Sequence, residues 1–468
     1  MTPSDAPPIA HALARFAAAL QPCAVPDALR RKATHHIVDA IGLAFASQSF
    51  AFAAPTLRGI AAAGAEGDAT VIGSARTLAP RDAALANGFL MHGLDFDDTH
   101  PLAIVHPSVA CLPAALAIGE ALDASWDDLL TAYVAGMETA IRIGAAVKGG
   151  FHHAGFHATG IVSHFSAAIV AGKLMGLDVA QLVAAQGIAA STAAGVQVFL
   201  EEGAWTKRLH PGWGALAGIT AARLAQNGFA GPSRPYEGRF ALFDSHLQQH
   251  VGAADLPSIA AGLGTQWTMT DTAIKPYPIC HFIHGCAEAA LRLSGRVAEA
   301  GLAADDVDDV LCLLPEPTMP IVAEPAAAKL APQTDYEAKF SAQFVVAMCL
   351  LRGRFGLAEL EDAALKDRDV LALAKKVRCE IDPDADFPRY FPGRVRLRLR
   401  DGRALSEHVP VNPGSGERAL DEHEIERKFR GTAGLTLAAG NVDALLGVLL
   451  SPGNRKVRAV TQLLRAAA

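Results

Sequence analysis

The 468-residue sequence predicts a mainly α-helical protein with a second domain of the α+β class. Three observations predict it. Apolar residues recur at helical spacing through most of the first 266 positions, as in residues 31–47, where Ile37, Ile41, Leu43 and Phe45 carry the pattern. From about Trp267 the character changes, and Arg394-Val-Arg-Leu-Arg-Leu-Arg400 alternates with Val395, Leu397 and Leu399 on one face, as a half-buried strand does. Past Asn412-Pro-Gly-Ser-Gly416 the helical pattern returns. A chain this long exceeds one compact core. The expected organisation is a large all-α domain from residues 1–266, a smaller inserted α+β domain over 267–411, and helices over 412–468 that return to the all-α domain.

In chain order, a first amphipathic helix is expected from Ile9 to about Leu29 and a second over residues 31–47. Asp39, a polar intruder in the second, reads as a cap or as the partner of a neighbouring helix. Ala69–Gly73 is a short extended piece, and Pro80-Arg-Asp82 opens the next helix with proline in its first turn. That helix delivers Met91-His-Gly-Leu-Asp-Phe-Asp-Asp-Thr-His100, followed by His106-Pro-Ser108. Helices alternate with short loops from Val109 to Val147. The glycines of Gly149–Gly160, interleaved with His152, His153 and His157, form a loop whose backbone can approach a ligand closely. A helical run over Ile161–Leu200 is interrupted by Trp205-Thr-Lys-Arg-Leu-His-Pro-Gly212.

In the second domain, Trp267–Lys275 reads as short extended segments and Pro276–His281 as a turn into a helix over Ile283–Leu293. Val307–Leu314 and Val377–Ile381 read as strands, Lys339–Leu351 and Leu357–Lys375 as helices. Asp401-Gly402 makes a hairpin turn into Ala404–Val411. Asn412–Gly416 reads as a linker, and Asp421 caps the closing helices Glu422–Phe429, Val442–Leu450 and Val457–Ala467.

A net charge of -7 argues against nucleic acid, whose partners present a basic face. Seven scattered cysteines, an odd number with no CxxC pair, fit reduced thiols in the cytoplasm better than a disulfide framework. No basic segment leads into an apolar one at the N-terminus, so no secretory signal is expected. The least charged stretch, Val179–Leu200, carries Gln181, Gln186, Ser191, Thr192 and Gln197 and reads as a buried helix, not a membrane span.

Four polar islands stand out from this apolar background: Asp95, Asp97 and Asp98 with His100 and His106; the His152/His157 loop; Lys207, Arg208 and His210; and Lys275, Tyr277, Cys280, His281 and His284. They offer acids or bases (Asp95, His106, His157, Tyr277) and cations (Lys207, Lys275). That combination suits proton abstraction beside a carboxylate, with cations holding the substrate and stabilising an enolate-like intermediate. His92, Asp95, Asp97 and His100 have a spacing a divalent ion could use, but no HExxH or paired-cysteine motif accompanies them, and no metal is expected. No GxGxxG or GxxxxGK[ST] supports a nucleotide cofactor, and nothing singles out Cys280 as a thiol nucleophile.

Leu94-Asp-Phe-Asp-Asp-Thr99, His106-Pro-Ser108, Lys275-Pro-Tyr-Pro-Ile-Cys280, Tyr336-Glu-Ala-Lys-Phe-Ser341 and Phe391-Pro-Gly-Arg-Val395 closely resemble the signature stretches of the MmgE/PrpD family. The resemblance runs over nearly the whole chain. The family includes 2-methylcitrate dehydratases, cis-aconitate decarboxylases and iminodisuccinate epimerases. The resemblance implies an all-α domain made from both chain ends, an α+β lid domain, an active site between them, a homodimer, and catalysis without metal or organic cofactor. It places the family's catalytic residues on Asp95, His106, His157, Lys207 and Lys275. Substrate contacts are expected from Thr99, Lys207, His210, Lys275, Tyr277, Cys280 and His281. Decarboxylase members carry a histidine five residues after the second lysine, where this chain has Cys280, and a tyrosine near the position of Ala326. The function expected is a lyase that dehydrates a 2-methylcitrate-like hydroxy-tricarboxylate. The alternatives are a decarboxylase of cis-aconitate type, an epimerase of an imino- or amino-dicarboxylate, and a helical interaction protein with no activity.

Overall fold

Proline ends the first helix sooner than the apolar pattern suggests. In the computed structural model, which describes residues 7–299, 301 and 304–465, α1 spans Ile9–Ala19 and the chain then turns through Pro22–Ala24. Helix α2, Asp27–Ser47, begins directly after Pro26. A single helix to Leu29 is therefore ruled out, because neither Pro22 nor Pro26 can donate the backbone bond a helix interior requires.

Numbering only helices of eight residues or more, the chain continues with α3 (Ala53–Ala63), α4 (Pro80–His92), α5 (Pro107–Ala121), α6 (Trp126–Ala146), α7 (Ala158–Leu174), α8 (Val179–Ala190) and α9 (Thr206–Gln226). A two-residue ladder pairs β1 (Ala69–Thr70) with β2 (Thr77–Leu78). Then come α10 (His284–Glu299), β3 (Val307–Leu314), α11 (Ala342–Arg352), β4 (Val377–Ile381), β5 (Gly393–Leu399), β6 (Ala404–Val409), α12 (Glu422–Ala433) and α13 (Ala439–Leu450). The expected closing helix is short: Val457–Thr461, then a tighter turn over Gln462–Leu464, with residues 466–468 outside the described ones.

The chain divides into two units. The first holds the chain up to Phe199, Ala204–Thr272 and the chain from Asp421 onward; the second holds Leu200–Gly203 and Ala273–Leu420. Residues 267–272 stay with the helices because Thr268 Oγ1 and Met269 N donate to the buried Glu138 carboxylate, at 2.9 and 2.8 Å. They form a 3-10 turn over Thr268–Asp271, not the extended segments expected. Asn412–Gly416 is no linker either. Asn412 is buried, its Oδ1 accepts from Phe391 N at 2.9 Å, and its Nδ2 donates to Ser415 Oγ at 2.9 Å.

The first unit is apolar helix packed at close range. Helix α5 is buried almost all round, and glycines let α9 approach its neighbours. A Cβ on Gly212 would stand 2.3 Å from the Leu85 carbonyl of α4, and one on Gly214 2.4 Å from Ser163 Cβ of α7. Helix α9 also corrects the sequence reading of residues 205–212. Lys207 and His210 sit inside a helix that includes Pro211, not in an interrupting loop.

In the second unit the sheet order is β4-β3-β5-β6, with β3 parallel to β4 and the other pairs antiparallel. Val395, Leu397 and Leu399 of β5 are buried while Arg396 and Arg398 are exposed, the alternation that a sheet with one solvated face demands. The span expected as one helix over Leu357–Lys375 is three short turns, Ala358–Leu360, Asp362–Leu365 and Arg368–Ala374.

Candidate active site

The first unit gathers its polar side chains where three helices end or begin. His92 is the last residue of α4. His106 and His157 are the residues immediately before α5 and α7, so each stands at a helix N-terminus. The main chain pins both: His106 N donates to Thr159 Oγ1 at 3.1 Å, and His157 N to the Gly195 carbonyl at 2.8 Å. Lys207 comes from the first turn of α9. Between α4 and α5, Asp95 takes a left-handed φ of 51°, a conformation aspartate tolerates better than most residues. Asp95, Asp97, His92, His106, His157 and Lys207 are all buried.

Two carboxylates organise the cluster. Asp95 Oδ2 accepts from Lys207 Nζ at 2.8 Å, and Asp95 Oδ1 lies 3.8 Å from His106 Nε2. Asp97 Oδ2 lies 2.9 Å from His92 Nδ1 and 3.2 Å from His106 Nδ1. Burial alone would raise the Asp97 carboxyl, but His92 and His106 together hold it well below the usual carboxylate range. Burial also pulls His92 down to about 4 despite Asp97, so His92 is a neutral ring donating its Nδ1–H to an ionised carboxylate.

The same contacts fix the tautomer of His106. Its Nδ1 also lies 2.8 Å from the backbone oxygen of Asp98. Both neighbours of that nitrogen are acceptors, so Nδ1 carries a proton, and Nε2 is the nitrogen left to exchange one. That is the placement a general base needs. His157 is held neutral, well below the ordinary imidazole range, by burial first and then by His210 and Lys207. Its Nδ1 lies 3.0 Å from His210 Nδ1, so the two rings share one proton across that contact. Thr99, an expected substrate contact, is buried with no hydrogen-bond partner for its Oγ1.

A second buried layer adds His36, Tyr133 and Lys428, for which the sequence offered no signal, to Asp98, Ser108 and Asp39. Asp98 accepts from Ser108 N at 3.2 Å and from Ser108 Oγ, which lies 2.6 Å from Tyr133 OH. His36 Nδ1 of α2 sits 2.7 Å from Asp98 Oδ2, close but poorly aligned for a hydrogen bond. Asp39 of α2 pairs with Lys428 of α12 at 2.7 Å, and Lys428 Nζ also donates to the Phe96 carbonyl at 2.8 Å. The neighbouring helix expected to partner Asp39 is therefore α12. His100 faces away: its Nε2 lies 3.2 Å from the Thr268 carbonyl.

The remaining expected residues belong to the second unit. Lys275, Cys280 and His281 are buried there. Tyr277 OH donates to Glu288 Oε2 at 2.7 Å, and burial beside that carboxylate pushes the phenol up. The hydroxyl is engaged, which disfavours Tyr277 as a ready acid. Asn412 Nδ2 lies 2.8 Å from His281 Nε2, making that nitrogen the acceptor.

Among the described residues, two groups of side chains lie close enough to share a cation: His92, His106 and His157, and Asp95, Asp97 and His106. The hollow lined by Arg234, Arg239, Phe240 and His246 includes none of the site residues. No described helix is long and apolar enough to cross a membrane, and all seven cysteines are free thiols.

A mainly helical scaffold here buries two carboxylates against imidazoles and an ammonium. The chain belongs to the MmgE/PrpD family: the family's N-terminal domain matches residues 11–252 and its C-terminal domain residues 277–446. It is similar to a cis-aconitate decarboxylase-like protein of Aspergillus oryzae, 26% identical over 96% of each chain. It is 30% identical to human cis-aconitate decarboxylase over 80% of this chain and 76% of that one. With cis-aconitate decarboxylase of Aspergillus terreus it shares 27% identity, over 88% and 86%.

Proposed function

We propose that this chain is a cofactor-independent lyase that eliminates water from a 2-methylcitrate-like hydroxy-tricarboxylate. The observation that carries the reading is the setting of His106, whose Nδ1 lies against two acceptor oxygens and whose Nε2 lies 3.8 Å from Asp95, the partner of Lys207. A carbon-bound proton next to a carboxylate passes to Nε2. Its electron pair forms the C=C bond, the C–O bond breaks, and the hydroxide recovers the proton from His106 and leaves as water. Lys207 binds a substrate carboxylate and stabilises the developing charge, while Asp95 positions Lys207. Neutral His157 binds substrate or relays a proton through His210. On the sequence resemblance we assign Lys275 as a second carboxylate-binding cation, with Thr99, Tyr277, Cys280 and His281 as substrate contacts. The reading includes a cytoplasmic location and a homodimer, and light scattering checks the dimer.

Decarboxylation of cis-aconitate is the second reading, favoured by the names of the relatives. Cys280 stands against it, in the place where decarboxylase members carry histidine. One experiment separates the two. Purified protein in EDTA is given 2-methylcitrate, citrate and cis-aconitate, with the ultraviolet absorbance of a conjugated C=C and the release of CO2 followed together. Absorbance that rises with a hydroxy-tricarboxylate and fails in His106→Ala supports dehydration. CO2 from cis-aconitate establishes the second reading, and silence on every substrate sinks both.

A further inference from the structure

Three imidazoles in the cluster share one property. The Nδ1 of each is already engaged: His92 with Asp97, His106 with Asp97 and the Asp98 carbonyl, His157 with His210. Each ring therefore keeps Nε2 as the nitrogen it can offer without breaking a bond. The Nε2 of His92 is buried with no hydrogen-bond partner. The rings are close, with centroids 4.7 Å apart for His92 and His106, 5.7 Å for His92 and His157, and 6.2 Å for His106 and His157. One ligand atom from each lies within 4.8 Å of the other two.

We propose that His92, His106 and His157 form a three-nitrogen site for a borderline divalent cation such as Zn²⁺, and that the ion acts as a blocker of the enzyme. Zinc takes imidazole nitrogens at about 2.0–2.1 Å and leaves a fourth, open position when three histidines hold it. The outer contacts of His92 and His106 match what such sites use, because a carboxylate or carbonyl on the far nitrogen fixes ring orientation and raises ligand basicity. Here one carboxylate, Asp97, serves two of the three rings. Asp95 and Asp97 also supply two negative charges against the dication. The alternative set of Asp95, Asp97 and His106 is weaker, because the Lys207 ammonium already sits 2.8 Å from Asp95.

Binding stands on this geometry alone. The blocking effect rests on the proposed role of His106, whose lone pair the ion would occupy.

The test is a titration of the metal-free, full-length protein with Co²⁺, read by its visible d–d bands, and with Zn²⁺ in competition. The expected result is one equivalent of Co²⁺ in a nitrogen/oxygen environment, displaced by Zn²⁺. The bands should vanish in both His92→Gln and His157→Gln, with circular dichroism verifying that each variant is folded. Absence of d–d bands overturns the site, as does a near-ultraviolet thiolate band or binding unchanged in both variants. Where turnover is present, Zn²⁺ should abolish it and EDTA restore it. Turnover that survives a saturated site overturns the blocking role and leaves the binding result standing.

Discussion

Nδ1 of His106 stands 2.8 Å from the backbone oxygen of Asp98, so the main chain itself holds the ring that offers Nε2. A base placed this way loses its function without losing its support. His106→Gln is expected to lower kcat by about 10²–10⁴-fold, the usual worth of a positioned proton-transfer group. Steady-state kinetics beside a thermal melt checks it, since the melting curve should move little.

Asp97 touches two imidazoles at once, which makes it a positioning residue. Asp97→Asn keeps the volume but introduces an amide that can donate, and it no longer compels Nδ1–H on either ring. We expect kcat to fall with KM little changed, and the acid limb of the pH–rate profile, where the base is protonated, to shift. A variant with a wild-type profile and kcat would remove Asp97 from the mechanism.

Acid should unfold this protein early. His92, His100, His164 and His210 are held down to about 4 and His152 to about 3, each by burial first, from an ordinary value of 6.5. Above 6.5 both states are neutral and these rings leave stability unchanged. Below it the unfolded chain takes up protons that the folded chain refuses, so stability falls as pH drops toward 4. For His92 the gap corresponds to about 3 kcal/mol. Asp39 works the other way. Burial raises it to about 6, so its contribution is full below its unfolded value of 3.8 and is lost as pH rises through about 6. One carboxyl offsets about one histidine, and five histidines outweigh it. Asp97, held low, gives up its contribution only at more acidic pH. Urea melts at about pH 7.5 and about pH 5 should show a lower midpoint at the acid value.

Much of the cluster was legible in local sequence, because helix starts and stops are. Pro80 opens α4, which ends where the Asp-rich stretch begins, and His106 and His157 directly precede helices. The roles within Asp95-Phe-Asp-Asp98 were not. Which carboxylate faces which ring depends on the left-handed turn at Asp95, and no spacing rule reports that. His36 and Tyr133 meet Asp98 and Ser108 through contacts far apart in sequence. Pro211-Gly212 reads as a breaker, yet the helix runs through both: Pro211 gives up one backbone bond, and Gly212 is there for the approach to α4.

That approach yields a prediction with an internal control. A Cβ at Gly212 would meet the Leu85 carbonyl at 2.3 Å and Phe89 N at 3.1 Å, backbone atoms that cannot swing aside. Gly212→Ala should cost about 1–3 kcal/mol through overpacking. Activity should also fall, because Lys207 rides on the same helix. Gly59 lies inside α3 with nothing within 4 Å of its added Cβ. Gly59→Ala should be neutral or stabilise by about 0.5–1 kcal/mol, since alanine favours a helix interior. Chemical denaturation of both variants reads the contrast.

The ion pair of Asp39 and Lys428 ties α12 to the loop that carries Asp95 and Asp97. Lys428 Nζ bonds both Asp39, at 2.7 Å, and the Phe96 carbonyl, at 2.8 Å, and lies 3.9 Å from the centre of the Phe96 ring. Removing the lysine alone strands a buried carboxylate, so Lys428→Met should cost about 3–5 kcal/mol. Asp39→Asn alone should cost less, because Lys428 keeps the carbonyl and the ring. The double variant should be more stable than Lys428→Met, the signature of a charge that harms only when unpaired. Its kcat should nonetheless stay low, since the Phe96 carbonyl has lost its donor and the loop its brace. A double-mutant cycle in stability, with kcat measured on all four proteins, decides it. Additive stabilities would dissolve the coupling, and wild-type kcat in the double variant would leave Lys428 a purely structural residue.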